Sequence, residues 1–399
     1  MTRSCILTVN GGSSSIRCAL YELRSDQSIH LLSSIHLDRI GKSDGRLISS
    51  PVTGVSTEKV LDLTLRSDAV AIIVAAVGSL THLSNLIGIG HRIVHGMQYS
   101  QPQRITPTLR QELSAISSID PEHLPFELEL IDAFQNQYRD VPQIACFDTA
   151  FHRSMPDIAR ILPLPKQYRD LGIERYGFHG LSYSFLMQAL GIIDERTAHH
   201  GRVIIAHLGN GASLAAIRDG KCIDTTMSFT PASGITMSTR SGDIDPGIIY
   251  HLSRTHRVAI QDIQRTLNRD SGMFGLSGFS GDVRDLLARE HDDPHAGLAI
   301  SVFCYQIKKA IGAYVAALGG LDTLIFSGGI GENSSIIRER IASGLEFIGI
   351  RFNAAANVNH DPIISTLDSI KVRVMKTDEE WMIAKLVLQV QSLVTNNTM

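Results

Sequence analysis

Arginine and histidine recur beside strand and turn signals at Gly90-His-Arg-Ile-Val-His-Gly96, at His123, at Phe178-His-Gly180 and at Thr239-Arg-Ser-Gly242. A guanidinium presents a planar pair of donors that matches carboxylate and phosphate oxygens, so Arg92 and Arg240 are natural clamps for an anionic acceptor. Any one of these sites alone reads more readily as a surface ion pair or a hydrogen-bonded structural histidine; the weight comes from their occurring together. Carboxylates complete the set. Asp148 ends the apolar run Ile144 to Phe147, and Glu379 opens the last expected helix. Either suits a hydrated Mg2+, which takes one or two carboxylates with phosphate oxygens and water, while a capping or solvated role is the alternative, the stronger one for Glu379.

Glycine-rich turns supply the other half of such chemistry. Phe326-Ser-Gly-Gly-Ile-Gly-Glu-Asn333 follows a strand signal and precedes a helix expected at Ser335, so its backbone can approach a flat or anionic ligand beside free helix N–H groups. It is neither a P-loop, since no Gly-Lys-Ser/Thr follows, nor a dinucleotide fingerprint. The hydroxyl-rich tip Asn10 to Ser15, with Arg17 just beyond, and the segment His207-Leu-Gly-Asn-Gly211 have a similar character. Each alone is equally an ordinary turn; three in one chain point to a nucleoside triphosphate spread across a cleft.

Elements that position these residues can be read from pattern. Ile6 to Val9 and Ile16 to Tyr21 form a strand hairpin around the first tip; Val203 to Ala206 and Leu214 to Ile217 repeat it, with a further turn at Asp219-Gly220. Two such hairpins hint at a duplicated architecture. Strands at Ile144 to Phe147, Leu324 to Phe326 and Val372 to Met375 alternate with helical signals, which indicates α/β layers. Ala296 to Leu318 reads as a buried amphipathic helix because Gln306, Lys308 and Lys309 interrupt its apolar run. Thr377 with Glu380 reads as a capping box ahead of the stripe Trp381, Ile383, Leu386, Val387, Val390 and Leu393.

At 399 residues two domains are expected, with a boundary just after Asp148. A composition of 43% apolar and 19% charged residues is globular. A net charge of -3 without a basic run gives nucleic acid or an anionic membrane surface nothing to bind. The five cysteines are scattered and in no CxxC pair, which fits a reducing cytosol rather than a disulfide framework or zinc site. Met1 to Val9 lacks a signal-peptide core.

Read in order, Val9-Asn-Gly-Gly-Ser-Ser-Ser15, Gly90-His-Arg-Ile-Val-His-Gly96, Phe147-Asp-Thr-Ala-Phe-His152, Arg175-Tyr-Gly-Phe-His-Gly180, His207-Leu-Gly-Asn-Gly211, Thr239-Arg-Ser-Gly-Asp-Ile-Asp-Pro246, Gly328-Gly-Ile-Gly-Glu-Asn333 and Thr377-Asp-Glu-Glu380 resemble the acetate kinase family from end to end. The resemblance implies the actin, hexokinase and Hsp70 superfamily fold: two duplicated ribonuclease-H-like domains flanking a catalytic cleft. The first would be residues 1–150, completed by the helix 380–399, and the nucleotide-binding second would be 151–379. It implies reversible transfer between ATP and acetate, giving acetyl phosphate and ADP, in a cytoplasmic homodimer with Mg2+ or Mn2+.

Carried over by motif, Asn10 and Glu379 would lie near the metal, and Ser13, Ser15 and Arg17 by the phosphates. Arg92 and Arg240 would hold the acyl carboxylate and the transferring phosphoryl group. His179 would stabilise charge on the equatorial oxygens with His123 in support, and Asp148 would orient the acceptor or metal. His207, Leu208, Gly209, Asn210, Gly211, then Asp282, Val283, Arg284, then Gly329, Ile330, Gly331, Glu332 and Asn333 would bind ATP. Val94, Phe178 and Pro231 would line the acyl pocket beside Arg92. The chain departs from the family at Arg17 (usually Lys), Ser238 (usually Gly), Tyr183 (usually His) and Glu122 (usually apolar). Glu122 leaves acetate against propionate open, since a pocket wall discriminates one methylene by only about 1–3 kcal/mol. A propionate or butyrate kinase is therefore the closest rival; an ATP-driven clamp and an inactive nucleotide binder are the others.

Overall fold

The computed structural model describes residues 4–12, 14–80 and 85–396. They divide into two compact units, one running to Ala150 and resuming at Asp378, the other spanning Phe151–Thr377.

The first unit carries strands β1 (Ser4–Gly11), β2 (Ser15–Leu23), β3 (Ile29–Asp38), β4 (Gly45–Pro51), β5 (Thr57–Leu61), β6 (Leu86–Ile93), β7 (Gln103–Arg104) and β8 (Gln143–Phe147). They form one sheet in the order β5-β4-β3-β2-β1-β6-β8-β7. β1 pairs antiparallel with β2 and parallel with β6, which pairs parallel with β8. β1 is buried along nearly all its length, as a central strand covered on both faces must be. One cover is the helix Leu124–Gln137, whose Phe126, Leu130 and Phe134 join Leu7, Val9 and Ile16 in a common core. The other is the helix Glu379–Asn396. Alternating glycines let it approach β6: a Cβ on Gly90 would stand 2.4 Å from Ile383 Cγ2, and one on Gly88 would stand 2.7 Å from Val387 Cγ1. Two-residue spacing puts both glycines on the same sheet face, so His91 falls on the opposite one, where its ring meets Phe134 edge-on at 5.9 Å.

The second unit holds β9 (Arg202–Leu208), β10 (Ala212–Arg218), β11 (Lys221–Thr225), β12 (Thr323–Ser327) and β13 (Lys371–Val374) in the order β11-β10-β9-β12-β13. The strands β9, β10 and β11 form an antiparallel meander, while β9, β12 and β13 run parallel. This repeats the order and directions of β3-β2-β1-β6-β8, so each unit is a ribonuclease-H-like sheet and the architecture is duplicated. The second hairpin turns at Asp219 and Gly220, with φ of 52° and 71°, as a two-residue turn between twisted strands requires. The helix Pro294–Leu318 packs against β9, β10 and neighbouring helices and buries Ala296, Ala299, Ile300, Phe303, Ile307, Ile311, Tyr314 and Leu318. That helical spacing turns Lys308 and Lys309 off the buried stripe. No helix among the described residues is long and apolar enough to cross a membrane.

Two local readings change. The glycine-rich segment after β12 is itself a short helix, Gly328–Asn333, entered through Gly328 at φ 75°. The last helix is capped by Asp378, whose Oδ1 accepts from Trp381 N at 2.8 Å, rather than by Thr377. The Asp side chain accepts from the N–H three residues ahead of it, as a cap does, so the cap sits one residue later than the Thr377 pairing with Glu380 implied.

Candidate active-site residues

In both units the hairpin tip and the carboxyl ends of the parallel strands share one edge of the sheet, the edge at which open α/β sheets bind ligands. On the first unit this edge carries Asn10 at the end of β1, Arg92 near the end of β6 and Asp148 just past β8. Arg92 donates from Nε and Nη2 to Asp148 Oδ2 at 3.0 and 2.6 Å and from Nη1 to Gly11 O at 3.4 Å. Burial alone would lower the Arg92 pKa, but the charges of Asp148 and Glu379 outweigh it and hold the guanidinium firmly protonated. Asp148 is fully buried and is itself anchored by its N–H to Ile93 O at 2.9 Å.

Asn10 Nδ2 donates to Glu379 Oε2 at 2.9 Å and to Glu380 Oε1 at 3.1 Å. Burial, and then the neighbouring charge of Glu379, push the Glu380 carboxyl above its ordinary range. Two carboxylates and an amide drawn together offer hard oxygen donors and an excess of negative charge, which suits Mg2+ or Mn2+. Among the described residues no group of three His, Cys, Asp or Glu side chains could hold a metal alone. Ser15 is half-buried and Arg17 exposed on β2, where Arg17 pairs in register with Asn10. Ser13 lies outside the described residues.

His123 stands at the start of the helix Leu124–Gln137, with Nδ1 2.9 and 3.2 Å from the two oxygens of the buried Asp120. Asp120 is a partner that sequence reasoning missed, and so is Glu127. The Glu127 carboxyl accepts from Val94 N at 3.2 and 3.1 Å, tying the expected pocket residue Val94 to the same helix. Burial raises the Glu127 pKa well above the usual range, against the pull of Arg92. Glu127 occupies the buried stripe of Leu124, Leu128 and Ile131, so a carboxylate at an apolar position was its sequence signal.

On the second unit, His179 caps the helix Gly180–Ile193 from a left-handed conformation, φ 60° and ψ 25°. Its ring centroid is 4.6 Å from that of His207, and Nδ1 lies 2.8 Å from Ser213 Oγ. The preceding Phe178 is buried and fixed by His152, whose Nε2 donates to Phe178 O at 2.8 Å. Arg240 Nη1 donates to Pro231 O at 3.1 Å. A Cβ on Gly211 would stand 3.2 Å from His179 Nε2 and 3.5 Å from Arg240 Nη1, so the glycine, the imidazole and the guanidinium border one space.

The other expected nucleotide segments adjoin that loop. Ser238 N donates to Asn210 O at 3.2 Å and Ser238 Oγ to Gly281 O at 2.8 Å, which ties the Asn210 turn to the segment entering Asp282. Asp282 caps the helix Val283–Arg289, and its carboxylate takes both prongs of the exposed Arg284 at 3.0 and 2.6 Å. Gly328 lies against Leu208, since a Cβ there would stand 2.6 Å from Leu208 O. Gly209 N donates to Gly211 O at 3.1 Å, which closes the turn. Within Gly328–Asn333, Glu332 turns back so that Oε1 accepts from Gly328 N at 2.9 Å, and Asn333 Nδ2 donates to Gly329 O at 2.9 Å. Ile330 and Gly331 complete this turn. The turn is held from behind by Arg338, which sequence reasoning missed. Fully buried, Arg338 donates from Nη1 to Gly331 O and Glu332 O, both at 2.9 Å, from Nε to Asn357 Oδ1 at 2.8 Å and from Nη2 to Asn357 O at 3.0 Å. These acceptors are uncharged, and burial pulls the guanidinium down to about 10.

Two ribonuclease-H-like units, the first with Asn10, Arg92 and Asp148 at the carboxyl ends of its strands and the second with His179, His207 and Arg240 around Gly211, fit a phosphotransferase of the actin, hexokinase and Hsp70 superfamily. Comparison with known proteins narrows the class. The chain belongs to the acetokinase family, whose profile matches residues 5–385. It is 39% identical over 392 residues to the acetate kinase of Thermoanaerobacterium thermosaccharolyticum, covering 95% of this chain and 97% of that one. It is 37% identical to the acetate kinase of Microcystis aeruginosa, covering 95% and 98%. Among solved structures it is similar to a propionate kinase from Francisella tularensis, with TM-score 0.88, 33% identity and coverage of 96% and 98%. It is also similar to the acetate kinase of Porphyromonas gingivalis, with TM-score 0.85, 33% identity and coverage of 97% and 100%.

Proposed function

We propose that this protein transfers the γ-phosphoryl group of ATP directly and in line to the carboxylate of acetate, giving acetyl phosphate and ADP, and runs the reverse reaction to make ATP. The observation that carries this reading is the meeting of His179 Nε2 and Arg240 Nη1 at Gly211, a ring nitrogen beside a cation, the kind of pair that stabilises charge on a transferring phosphoryl group. Membership of the acetokinase family supports the same chemistry.

Arg92 holds the acyl carboxylate, and Asp148, which binds Arg92, orients the acceptor or metal. His123, steadied by Asp120, assists. Val94, Phe178 and Pro231 wall the acyl group. The segments 207–211, 282–284 and 329–333 take the nucleotide, and Ser13, Ser15 and Arg17 take phosphate. Asn10 and Glu379 would hold Mg2+, which would supply positive charge against the phosphate oxygens. The remaining work is positioning and electrostatic stabilisation, with no covalent enzyme intermediate. A homodimer in the cytoplasm belongs to the same reading.

The test follows acyl phosphate, trapped as hydroxamate, with ATP, Mg2+ and acids from acetate to butyrate. Highest kcat/KM on acetate, with activity lost in Arg92→Ala and Arg240→Ala, is the expected result. A higher value on propionate moves the protein to the propionate kinase reading, and ATP binding without any acyl phosphate overturns the assignment.

A further inference from the structure

Ser213 and Tyr183 are both 0% exposed, and their hydroxyl oxygens lie 2.5 Å apart. Ser213 Oγ also lies 2.8 Å from His179 Nδ1, so a phenol, an alcohol and an imidazole form one hydrogen-bonded line. We propose that Tyr183 and Ser213 are positioning residues that fix His179 with its proton on Nε2, making the ring a neutral N–H donor toward the anionic group beside Gly211 and Arg240. This rests on the reading that His179 serves phosphoryl transfer.

The argument is one of proton accounting. Among the described residues, Ser213 Oγ meets only His179 Nδ1 and Tyr183 Oη, and burial removes water as a third partner, so its single proton goes to one of the two. A phenol is a stronger donor than an alkyl alcohol, and an O···O distance at the short end of the normal range calls for the stronger donor. Tyr183 therefore donates to Ser213, and Ser213 donates to Nδ1. A neutral imidazole that accepts at Nδ1 carries its proton on Nε2, the nitrogen 3.2 Å from where a Cβ of Gly211 would be. A neutral donor also avoids a second positive charge next to the Arg240 guanidinium.

The local fold holds this line in place. Tyr183 N donates to His179 O at 3.0 Å, closing the first helical turn and setting the two side chains four residues apart on one face. Gly177 at φ 74° packs on His152, whose ring crosses that of Tyr183 at 5.5 Å and 81°. Tyrosine replaces the histidine that the family resemblance leads one to expect at this position. At neutral pH a phenol always has a proton to give, whereas a neutral imidazole either gives or takes one according to its tautomer.

The experiment labels the histidines with 15N and reads the tautomer of neutral His179 from long-range proton–nitrogen correlations, assigned by the signal lost in His179→Gln. Protonated Nε2 with bare Nδ1 in the unmodified protein is the expected result; protonated Nδ1 overturns the proposal whether or not the Ser213 and Tyr183 variants fold. In kinetics, Ser213→Ala is expected to lower kcat by about ten-fold or more with KM for ATP little changed. Ser213→Thr, which keeps the hydroxyl, is expected to restore most of the rate, and Tyr183→Phe to fall between. Wild-type kcat in both Ser213→Ala and Tyr183→Phe overturns it as well. If the unmodified protein makes no acyl phosphate, the functional assignment fails while the tautomer measurement still decides the relay.

Discussion

Arg92 places two of its donors, Nε and Nη2, on a single oxygen of Asp148, at 3.0 and 2.6 Å. The partner is fully buried, and the two residues belong to neighbouring parallel strands or their ends, so the pair fixes the guanidinium plane before any ligand arrives. Arg92→Ala leaves that carboxylate buried without its cation, a change that typically costs about 3–5 kcal/mol. Asp148→Ala removes the orienting partner instead. The expected result in chemical denaturation is that the double variant loses clearly less than the sum of the singles, because both remove the same contact.

Mg2+ should matter to stability as well as to rate. Glu380 is raised by burial and by Glu379, so the ligand-free protein holds two carboxylates that repel each other. Glu380→Gln is expected to raise the melting temperature of the metal-free protein. Mg2+ with ADP is expected to stabilise the unmodified protein more than this variant, and Glu379→Ala to raise the Mg2+ concentration for half-maximal activity by about ten-fold or more. Thermal melts and a Mg2+ titration check these outcomes.

Arg338 supports the Gly328–Asn333 turn, proposed above to take the nucleotide, through its carbonyls alone. Arg338→Met keeps the length of the stem but leaves the buried carbonyl of Gly331 without this donor, at about 1–3 kcal/mol, while Glu332 O keeps His360 Nδ1 at 3.2 Å. Calorimetric ATP binding is expected to weaken, while the acetate KM stays near the wild-type value.

Acid should loosen both units. Burial holds His91 and His152 down to about 4 from an ordinary 6.5. Each is neutral in the folded chain and would take up a proton in the unfolded chain between those values, so the unfolded state binds more protons there. Their contribution is therefore fully present above pH 6.5 and is lost as pH falls toward 4, by about 3 kcal/mol for each histidine. Urea denaturation at pH 7 and pH 5 should show the drop, and His91→Gln should reduce its slope.

The sequence by itself determined the local and periodic features. The two hairpins, the strands at Ile144 and Leu324 and the helix through Phe303 were legible because apolar spacing and turn residues depend on nearest neighbours. The ordered motifs carried the family for a similar reason, since each is a short run of specific residue types. What stayed hidden depends on residues far apart in the chain. Tyr183 read only as a departure until the fold placed it against Ser213, thirty positions along. Nothing around Arg338 in the chain shows that burial puts it behind Gly331 and Glu332. Glu127 had a faint periodic signal, but only packing shows that Val94 N–H is what it binds. The cap moved from Thr377 to Asp378 because a one-residue shift at a helix start is settled by where the chain arrives, not by the residues it offers. Buried polar groups must find partners, and which partners are within reach is a property of the tertiary structure alone.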